Sequence, residues 1–232
     1  MARAAPGIGE CPNPATSPGP AAPPFQENEL TQITLLALAT AALFAAGSAG
    51  AQSISVRAGV ANFNPKSDNG RIAGATASID NSSRVVVGAS YHLDDTWEFA
   101  VDTAATTFKH TVALSGLGNV VRLKHHPVNI GVNWHFLGGD SDVSPYVGLG
   151  WNWTSLSDAT GIGALRGVPV RIDDSNGVTA TLGADLAIDE RFFVRGEARY
   201  INFDSTVFAG GANAGTANVD PWQYSLLAGL RF

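Results

Sequence analysis

Hydrophobic and polar residues alternate with a period of two in eight separate segments, which predicts eight β-strands. Each segment has about 10–13 residues, longer than a typical soluble strand and close to the ~9–11 that a tilted strand needs to cross a membrane. The predicted strands are Ser53–Phe63, Ser83–Leu93, Trp97–Phe108, Pro127–Phe136, Pro145–Thr154, Gly177–Ile188, Arg191–Phe203 and Pro221–Phe232.

The predicted connections alternate between long and short, which is typical of an up-and-down barrel with its short turns at the end that holds both termini. Asp94–Thr96 and Asp189–Glu190 are short turns, and Leu137–Ser144 is a moderate one. The longer connections, interpreted as loops at the opposite end, are Asn64–Ser82, Lys109–His126, Ser155–Asn176 and Asp204–Asp220. The pattern therefore predicts an all-β fold, an eight-stranded antiparallel up-and-down transmembrane β-barrel.

The two faces of the predicted strands differ in charge. One parity carries no charged residue, while the other combines glycine, serine and asparagine with nine charges: Arg57, Arg84, Glu98, Asp102, Asp185, Arg195, Glu197, Arg199 and Arg231. Parity alone does not say which face is inside, and a soluble exported barrel would place the apolar face inwards. Only three lysines occur in the chain, and aromatic residues cluster towards strand ends, which favours a lipid-facing apolar surface.

Composition narrows the possible functions. The 232 residues carry a net charge of −6 with no basic run, which argues against nucleic-acid binding. No run of about 20 apolar residues is present, so a transmembrane helix is not expected. The single cysteine, Cys11, excludes a disulfide framework and a cysteine-based zinc cluster.

The N-terminal region has the organisation of a processed leader. Residues 1–26 are rich in proline and alanine, and we interpret them as a disordered extension or as a product of a start codon upstream of the true one. Residues 27–51 contain the apolar block Ile33–Phe44 and the small-residue triplet Ala49-Gly50-Ala51, which predicts a signal peptide despite Glu27 and the absence of a nearby positive charge. A short buried helix is the alternative. Residues 52–232 form the predicted barrel.

Several motifs of the predicted barrel resemble the outer membrane protein W family of Gram-negative bacteria. They run in order from residue 53 to the C-terminus: Val56-Arg57-Ala58-Gly59, Thr107-Phe108-Lys109-His110, His126-Pro127, Trp134-His135-Phe136, Pro145 to Thr154, Asp174 to Gly177, Gly183-Ala184-Asp185, Asp220-Pro221-Trp222 and Gly229 to Phe232.

This resemblance implies an outer-membrane barrel that binds or passes small hydrophobic molecules through a narrow apolar channel, with lateral release into the membrane. The alternative is a structural or receptor barrel that acts through its long extracellular loops. Expected partners are membrane lipids, lipopolysaccharide and a small hydrophobic ligand, with no nucleic acid. The terminal Phe232 is similar to the sorting signal read by the barrel assembly machinery. No ligand-binding residue can be carried over.

Five charges should meet inside the barrel: Asp102, Asp185, Arg195, Glu197 and Arg199. We interpret them mainly as an ion-paired plug and alternatively as a selectivity gate, because unpaired buried charges are costly.

Catalytic, metal and cofactor sites are not expected. His110 and the pair His125-His126 could hold a metal, but no carboxylate lies beside them in the sequence. Ser90, His92 and Asp94 share a parity, yet nothing marks a nucleophile and base, so an enzyme is not predicted.

Overall fold

The computed structural model describes residues 53–138 and 141–232, so the predicted extension and signal peptide lie outside the described residues. The strands are β1 Ser53–Asn64, β2 Arg71–Ile72, β3 Ala75–Ile79, β4 Ser82–His92, β5 Trp97–Ala104, β6 Phe108–Leu114, β7 Gly118–His135, β8 Val143–Gly161, β9 Val170–Ile172, β10 Ser175–Ala187, β11 Phe192–Ile201, β12 Asp204–Ala209, β13 Ala212–Asn218 and β14 Trp222–Arg231. A single 3₁₀ turn, Gly163–Leu165, lies between β8 and β9. None of the helical residues in these ranges forms a segment long and apolar enough to span a bilayer.

Eight of these strands close into a barrel, as the alternation predicts. Their order around the ring is β1, β4, β5, β7, β8, β10, β11 and β14, and every neighbouring pair is antiparallel. Closure comes from β1 and β14, which pair from Ser55 opposite Arg231 to Asn64 opposite Trp222. The predicted fold class is therefore confirmed.

Aspartate side chains hold two of the short turns. Asp94 Oδ1 accepts hydrogen bonds from the backbone nitrogens of Thr96 and Trp97 at 2.7 and 2.8 Å. Asp189 does the same for Arg191 and Phe192 at 2.8 and 2.7 Å. These backbone N–H groups stabilise the ionised carboxylates and lower the pKa of each below its usual value.

The predicted long loops are wrong in one respect, because they fold into further strands. β7 and β8 extend past the barrel, and β6, β3, β2, β13, β12 and β9 follow β7 in that order to form an upper sheet at the extracellular end. Between β2 and β13 the ladder has one residue pair, Ile72 opposite Gly215, flanked by backbone hydrogen bonds from Ala73 to Ala214 at 2.7 Å and from Asn218 to Asn69 at 3.1 Å. In the described residues, β9 pairs with β12 and has no ladder with β8. The upper sheet therefore surrounds a space with two weakly paired seams.

The strands keep their parity along their whole length, but the chemistry of the two faces is exchanged at the upper end. On β7 the outward residues are apolar from Trp134 up to Val128 and polar from His126 up to Arg122. The inward residues change in the opposite sense, from His135, Asn133 and Asn129 to Pro127, His125, Leu123 and Val121. On β11 the inward Arg195, Glu197 and Arg199 give way to Ile201 and then to Phe203 just beyond it.

This exchange explains why the alternating membrane pattern in the sequence ends before the strands themselves end. A segment whose outward face is polar and whose inward face is apolar is typical of a water-exposed sheet, so the upper segments do not continue the membrane pattern. The lower part matches it: Leu149 is 74% exposed, and Arg57, Glu98, Asp102, Asp185, Arg195, Glu197 and Arg199 are buried. Arg84 and Arg231, the remaining two of the nine charges, are half-buried. Apolar side chains face outwards, and ionised groups face the interior.

The outward face of the lower barrel should tolerate no charge at mid-height. Replacing Leu149 with arginine is expected to lower the free energy of unfolding by about 2–4 kcal/mol, because the guanidinium would be placed in hydrocarbon. Ala212→Arg, at an exposed position of β13 beyond the apolar band, serves as the control and should cost little. Denaturant unfolding in lipid vesicles measures both variants. Equal losses for the two would contradict the membrane placement.

Candidate binding cavity and charged barrel interior

The interior of the lower barrel is filled by a network of four arginines and four carboxylates. Arg195 is fully buried at its centre and donates to both oxygens of Glu98 at 2.7 and 2.9 Å. The same guanidinium donates to both oxygens of Asp185 at 2.6 and 2.8 Å. Both pairs are bidentate, the geometry in which an arginine–carboxylate bond is strongest.

The rest of the network continues from these two carboxylates. Arg57 lies 3.5 Å from Glu98 and 2.6 Å from Asp102. Arg199 then links Asp102 at 2.9 Å to Glu197 at 3.1 Å. Arg231 lies 3.7 Å from Asp185 at the other end of the network. Positive and negative groups alternate along the whole connection, so each buried charge has an opposite neighbour.

Neutral side chains complete the packing around these ions. Tyr146 donates to Glu197 at 2.9 Å, and the Arg195 guanidinium lies 4.7 Å from the centre of the Tyr146 ring. Gly183 leaves the room for this ring, because a Cβ at that position would lie 2.5 Å from the tyrosine hydroxyl. His135 Nε2 lies 2.8 Å from a Glu98 carboxylate oxygen, and its Nδ1 lies 2.7 Å from the Ser144 hydroxyl. The lower lumen is therefore occupied by packed side chains.

The structure brings together all five residues of the predicted charge belt, and it adds others. Glu98 and Arg57 connect the two halves of the network, although the sequence interpretation did not include them in the belt. Both lie on the charged parity of their strands, so that parity was the available signal. His135 and Tyr146 carry no such signal, because their role depends on which strands become neighbours across the lumen.

The residues weighed for catalysis and metal binding do not form a reactive site. Ser90 hydrogen-bonds Glu98 and Arg57, His92 contacts Ser55 at 3.5 Å, and Asp94 caps its turn. The described residues contain one group with metal-like spacing, in which single ligand atoms of Glu98, His135 and Asp185 lie within 4.8 Å of one another. Arg195 already neutralises both carboxylates, so this position is held by an internal cation.

A large apolar cavity lies above this network, inside the upper sheet. It holds about 780 Å³ of space free of protein atoms, including the part that opens to solvent. Among its 21 lining residues only His110, His125 and Ser205 are polar, and the Ser205 hydroxyl donates to the Asp173 carbonyl oxygen. The lining comes from all the upper strands and from the inward faces of β1, β7 and β8. A cavity with so apolar a lining suits a small apolar molecule.

Four aromatic rings pack together beside the cavity, and three of them, Phe63, His110 and His125, line it. Phe108, His125 and His110 stack in that order, with ring centres 4.7 and 4.8 Å apart, and Phe63 tilts against His125 at 4.5 Å. Burial disfavours the charged imidazolium and lowers the pKa of His125 well below its usual value. It lowers the pKa of His110 as well. His126, the neighbour in sequence, has the opposite parity and lies 3.1 Å from the Thr103 hydroxyl.

Sequence comparison places these features in a known context, because the OmpW family profile matches residues 49–232. The chain belongs to the OmpW family. Outer membrane protein W of Vibrio cholerae is 30% identical over 190 residues, covering 76% of this chain and 87% of the relative. Outer membrane protein W of Escherichia coli is 27% identical over 213 residues, covering 88% of this chain and all of the relative. Like these OmpW-family relatives, the protein is an outer-membrane protein of a Gram-negative bacterium and not an enzyme.

Solved structures of related barrels agree with this assignment. OprG from Pseudomonas aeruginosa superimposes with a TM-score of 0.68 at 26% identity, covering 78% of this chain and 96% of OprG. The solution structure of E. coli outer membrane protein W gives 0.58 at 26% identity, covering 80% of this chain and all of that one. AlkL, solved in DMPC bilayers, gives 0.59 at 21% identity, covering 81% of this chain and 94% of AlkL, and shows a shared fold.

The charged interior should be stable only when its ions are matched. Arg195→Met is expected to lower the free energy of unfolding by about 3–5 kcal/mol, because Glu98 and Asp185 lose their main partner. Adding Glu98→Gln to the same variant should recover much of the loss, because three arginines then face three carboxylates, in the pairs Arg57–Asp102, Arg199–Glu197 and Arg231–Asp185. Unfolding in lipid vesicles measures both effects, together with single-channel conductance. Unchanged stability with altered ion selectivity would instead support the gate interpretation.

The two buried histidines should make the protein less stable in acid. In the unfolded chain each protonates near pH 6.5, whereas burial keeps the native rings neutral to lower pH. The unfolded state therefore binds more protons as the pH falls from 7.5 to 5, which removes at most about 2 kcal/mol for His125 and less for His110. A His110→Phe/His125→Phe variant should show a flatter dependence, while the other histidines contribute equally to both proteins. Parallel curves of stability against pH for the native protein and the variant would contradict the assignment of this acid sensitivity to His110 and His125.

Proposed function

We propose that the protein binds small hydrophobic molecules in the upper cavity and passes them sideways into the outer membrane. The observation that carries this proposal is the vertical order of the interior: an apolar cavity lies directly above a lumen filled with paired ions. A hydrophobic molecule in the cavity would have to desolvate and separate those ions to continue downwards, and breaking such buried pairs is costly. The wall of the barrel is the alternative route.

One part of the barrel wall lacks a backbone ladder between neighbouring strands. β5 ends at Ala104 and β6 begins at Phe108, so the last β5 pair with β7 is Thr103 opposite Val128, and the first β6 pair is Phe108 opposite His125. His126 and Pro127 lie between these two rungs, and proline has no N–H with which to make another. The backbone ladder of the wall is therefore interrupted beside Pro127, where the Thr103 hydroxyl donates to the Pro127 carbonyl oxygen at 2.9 Å.

This gap lies at the membrane surface, where a lateral exit has to be. Immediately below it, the outward face of β7 becomes apolar at Val128, which pairs with the outward-facing Trp153 of β8. Inside the wall, Pro127 and Ala104 line a smaller space of about 250 Å³. Phe108 is fully buried, and its ring lies 5.9 Å from that of Phe63, which lines the cavity. Movement of the Phe108 ring would connect the cavity with the gap.

Lipids of the outer leaflet remain the proposed partners of the outer surface. Lys109 and Lys124 are directly opposite each other on β6 and β7, and Arg122 lies next on the same outward face. Asp158 lies 2.6 Å from Lys124, and an anionic headgroup would add a counter-charge beside Lys109 and Arg122, since like charges on neighbouring strands destabilise a sheet. The patch lies just above the apolar band, which supports a contact with the phosphates of lipopolysaccharide. Recognition of Phe232 by the barrel assembly machinery stays a prediction.

Filling the cavity should abolish both binding and passage. Ala217→Phe on β13 places a ring among the lining residues and is expected to lower the affinity for undecane at least tenfold, because the added ring occupies the ligand's volume. Ala212→Phe is the matched control, since Ala212 is exposed on the same strand. Binding is measured in lipid nanodiscs, and uptake of labelled undecane is measured in Gram-negative cells that lack their own family members.

A second variant separates binding from lateral release. Ala104→Leu narrows the space behind Pro127 and should slow uptake while leaving cavity binding intact. Unchanged uptake by the Ala104→Leu variant would argue against an exit beside Pro127. If undecane binds to neither the native protein nor its variants, and deleting residues 162–169 abolishes attachment of a surface partner, the receptor interpretation replaces the transport one.

A further inference from the structure

Two polar atoms in the wall of the apolar cavity have no partner. His110 Nε2 and His125 Nε2 are both buried and make no hydrogen bond within the described residues. The two rings line the cavity, and His125 is only 2% exposed. A buried polar atom without a hydrogen bond is costly, so native structures rarely keep one unless a ligand or water completes it. The two nitrogens therefore indicate something about the molecule that the cavity takes.

The position of the His110 ring is fixed on two sides. Its face stacks on His125, and His125 in turn stacks on Phe108 with ring planes only 9° apart. Its edge is held through Nδ1, which lies 2.9 Å from the backbone carbonyl oxygen of Asp80. A ring constrained by both contacts presents Nε2 in a constant direction, which is how preorganised binding groups are built.

The same contact with Asp80 determines the proton on His110. A carbonyl oxygen can only accept, so Nδ1 carries the hydrogen and donates it. Burial keeps the imidazole neutral, as its lowered pKa indicates. In a neutral imidazole with the proton on Nδ1, the other nitrogen is a lone-pair acceptor. His110 Nε2 therefore needs a donor, which a plain hydrocarbon cannot supply.

We infer that the cavity selects amphipathic ligands in which an apolar chain ends in an uncharged hydroxyl. The chain fills the apolar lining, and the hydroxyl donates its hydrogen to His110 Nε2, with His125 Nε2 as the second polar atom beside it. A carboxylate is a poor ligand for this position, because it has no hydrogen to donate and would be buried without a cation. This inference rests on the proposed function and names the ligand class for the same cavity.

Three probes of equal size separate the donor from the chain. 1-Decanol can donate and accept, 1-methoxynonane can only accept, and undecane can do neither. We expect the protein in nanodiscs to bind decanol about three- to tenfold more tightly than either other probe, after correction with empty nanodiscs for lipid partitioning. Decanol should also shift the ¹⁵N resonance of His110 Nε2, which undecane should leave in place.

Variants assign the preference to His110. His110→Phe keeps a stacking ring but removes the acceptor, so it should lower decanol affinity by the same three- to tenfold and leave undecane affinity within twofold. Thr111→Val is the matched control, because Thr111 is the next residue on β6 and does not line the cavity. If His110→Phe does not fold, the ¹⁵N shift in the native protein decides.

Each remaining outcome overturns a distinct statement. Equal binding of decanol and undecane would overturn the hydroxyl preference and leave the proposed function intact. Equal binding of decanol and methoxynonane, both tighter than undecane, would show that an imidazole N–H donates to the ligand oxygen and would overturn the acceptor role assigned to His110. If none of the three probes binds, the proposed function and this inference fail together.

Discussion

The whole structure depends on one change in its surroundings, the passage of each strand from hydrocarbon into water. A strand cannot change its parity along its length, so the residues that face outwards must change their chemistry instead. β7 shows the change within two residues, from Val128 to His126. The inward face changes in the opposite sense, since ions are tolerable in the interior only where they pair and apolar groups pack where water lies outside. The cavity exists because of this exchange.

The paired ions fill the lumen of the lower barrel and plug it. Arg195 alone meets two carboxylates in bidentate geometry, and the remaining arginines extend the alternation of charge to both ends of the network. Such pairs are weak evidence for stability, because dehydrating them offsets much of their attraction. Their consequence is geometric: they fill the lumen without leaving an uncompensated charge. The space available to an apolar molecule is thereby restricted to the extracellular half.

The sequence predicts the membrane barrel well because lipid imposes a strict rule on it. Outward residues in the membrane must be apolar, so the alternation identifies the number of strands and separates their two faces, and the scarcity of lysine and the aromatic strand ends then favour an inward position for residues such as Asp102 and Arg199. The upper sheet escaped prediction because its strands obey a different rule, and short ones such as Arg71–Ile72 give no periodic signal. His110 and His125 were noticed only as a metal possibility. Their stacking and their unpaired nitrogens depend on β6 lying beside β7, which local pattern does not contain.

The upper sheet closes through the single rung between Ile72 and Gly215, whereas β1 and β14 share a continuous ladder of ten residue pairs. Opening this seam breaks that rung and two flanking backbone hydrogen bonds, from Ala73 to Ala214 and from Asn218 to Asn69, while the membrane ring below keeps its continuous ladders. A cavity bounded in this way can widen to bind ligands of different width. The part of the barrel that spans the bilayer need not change. The same set of strands therefore forms a continuously paired lower half and an adaptable upper half.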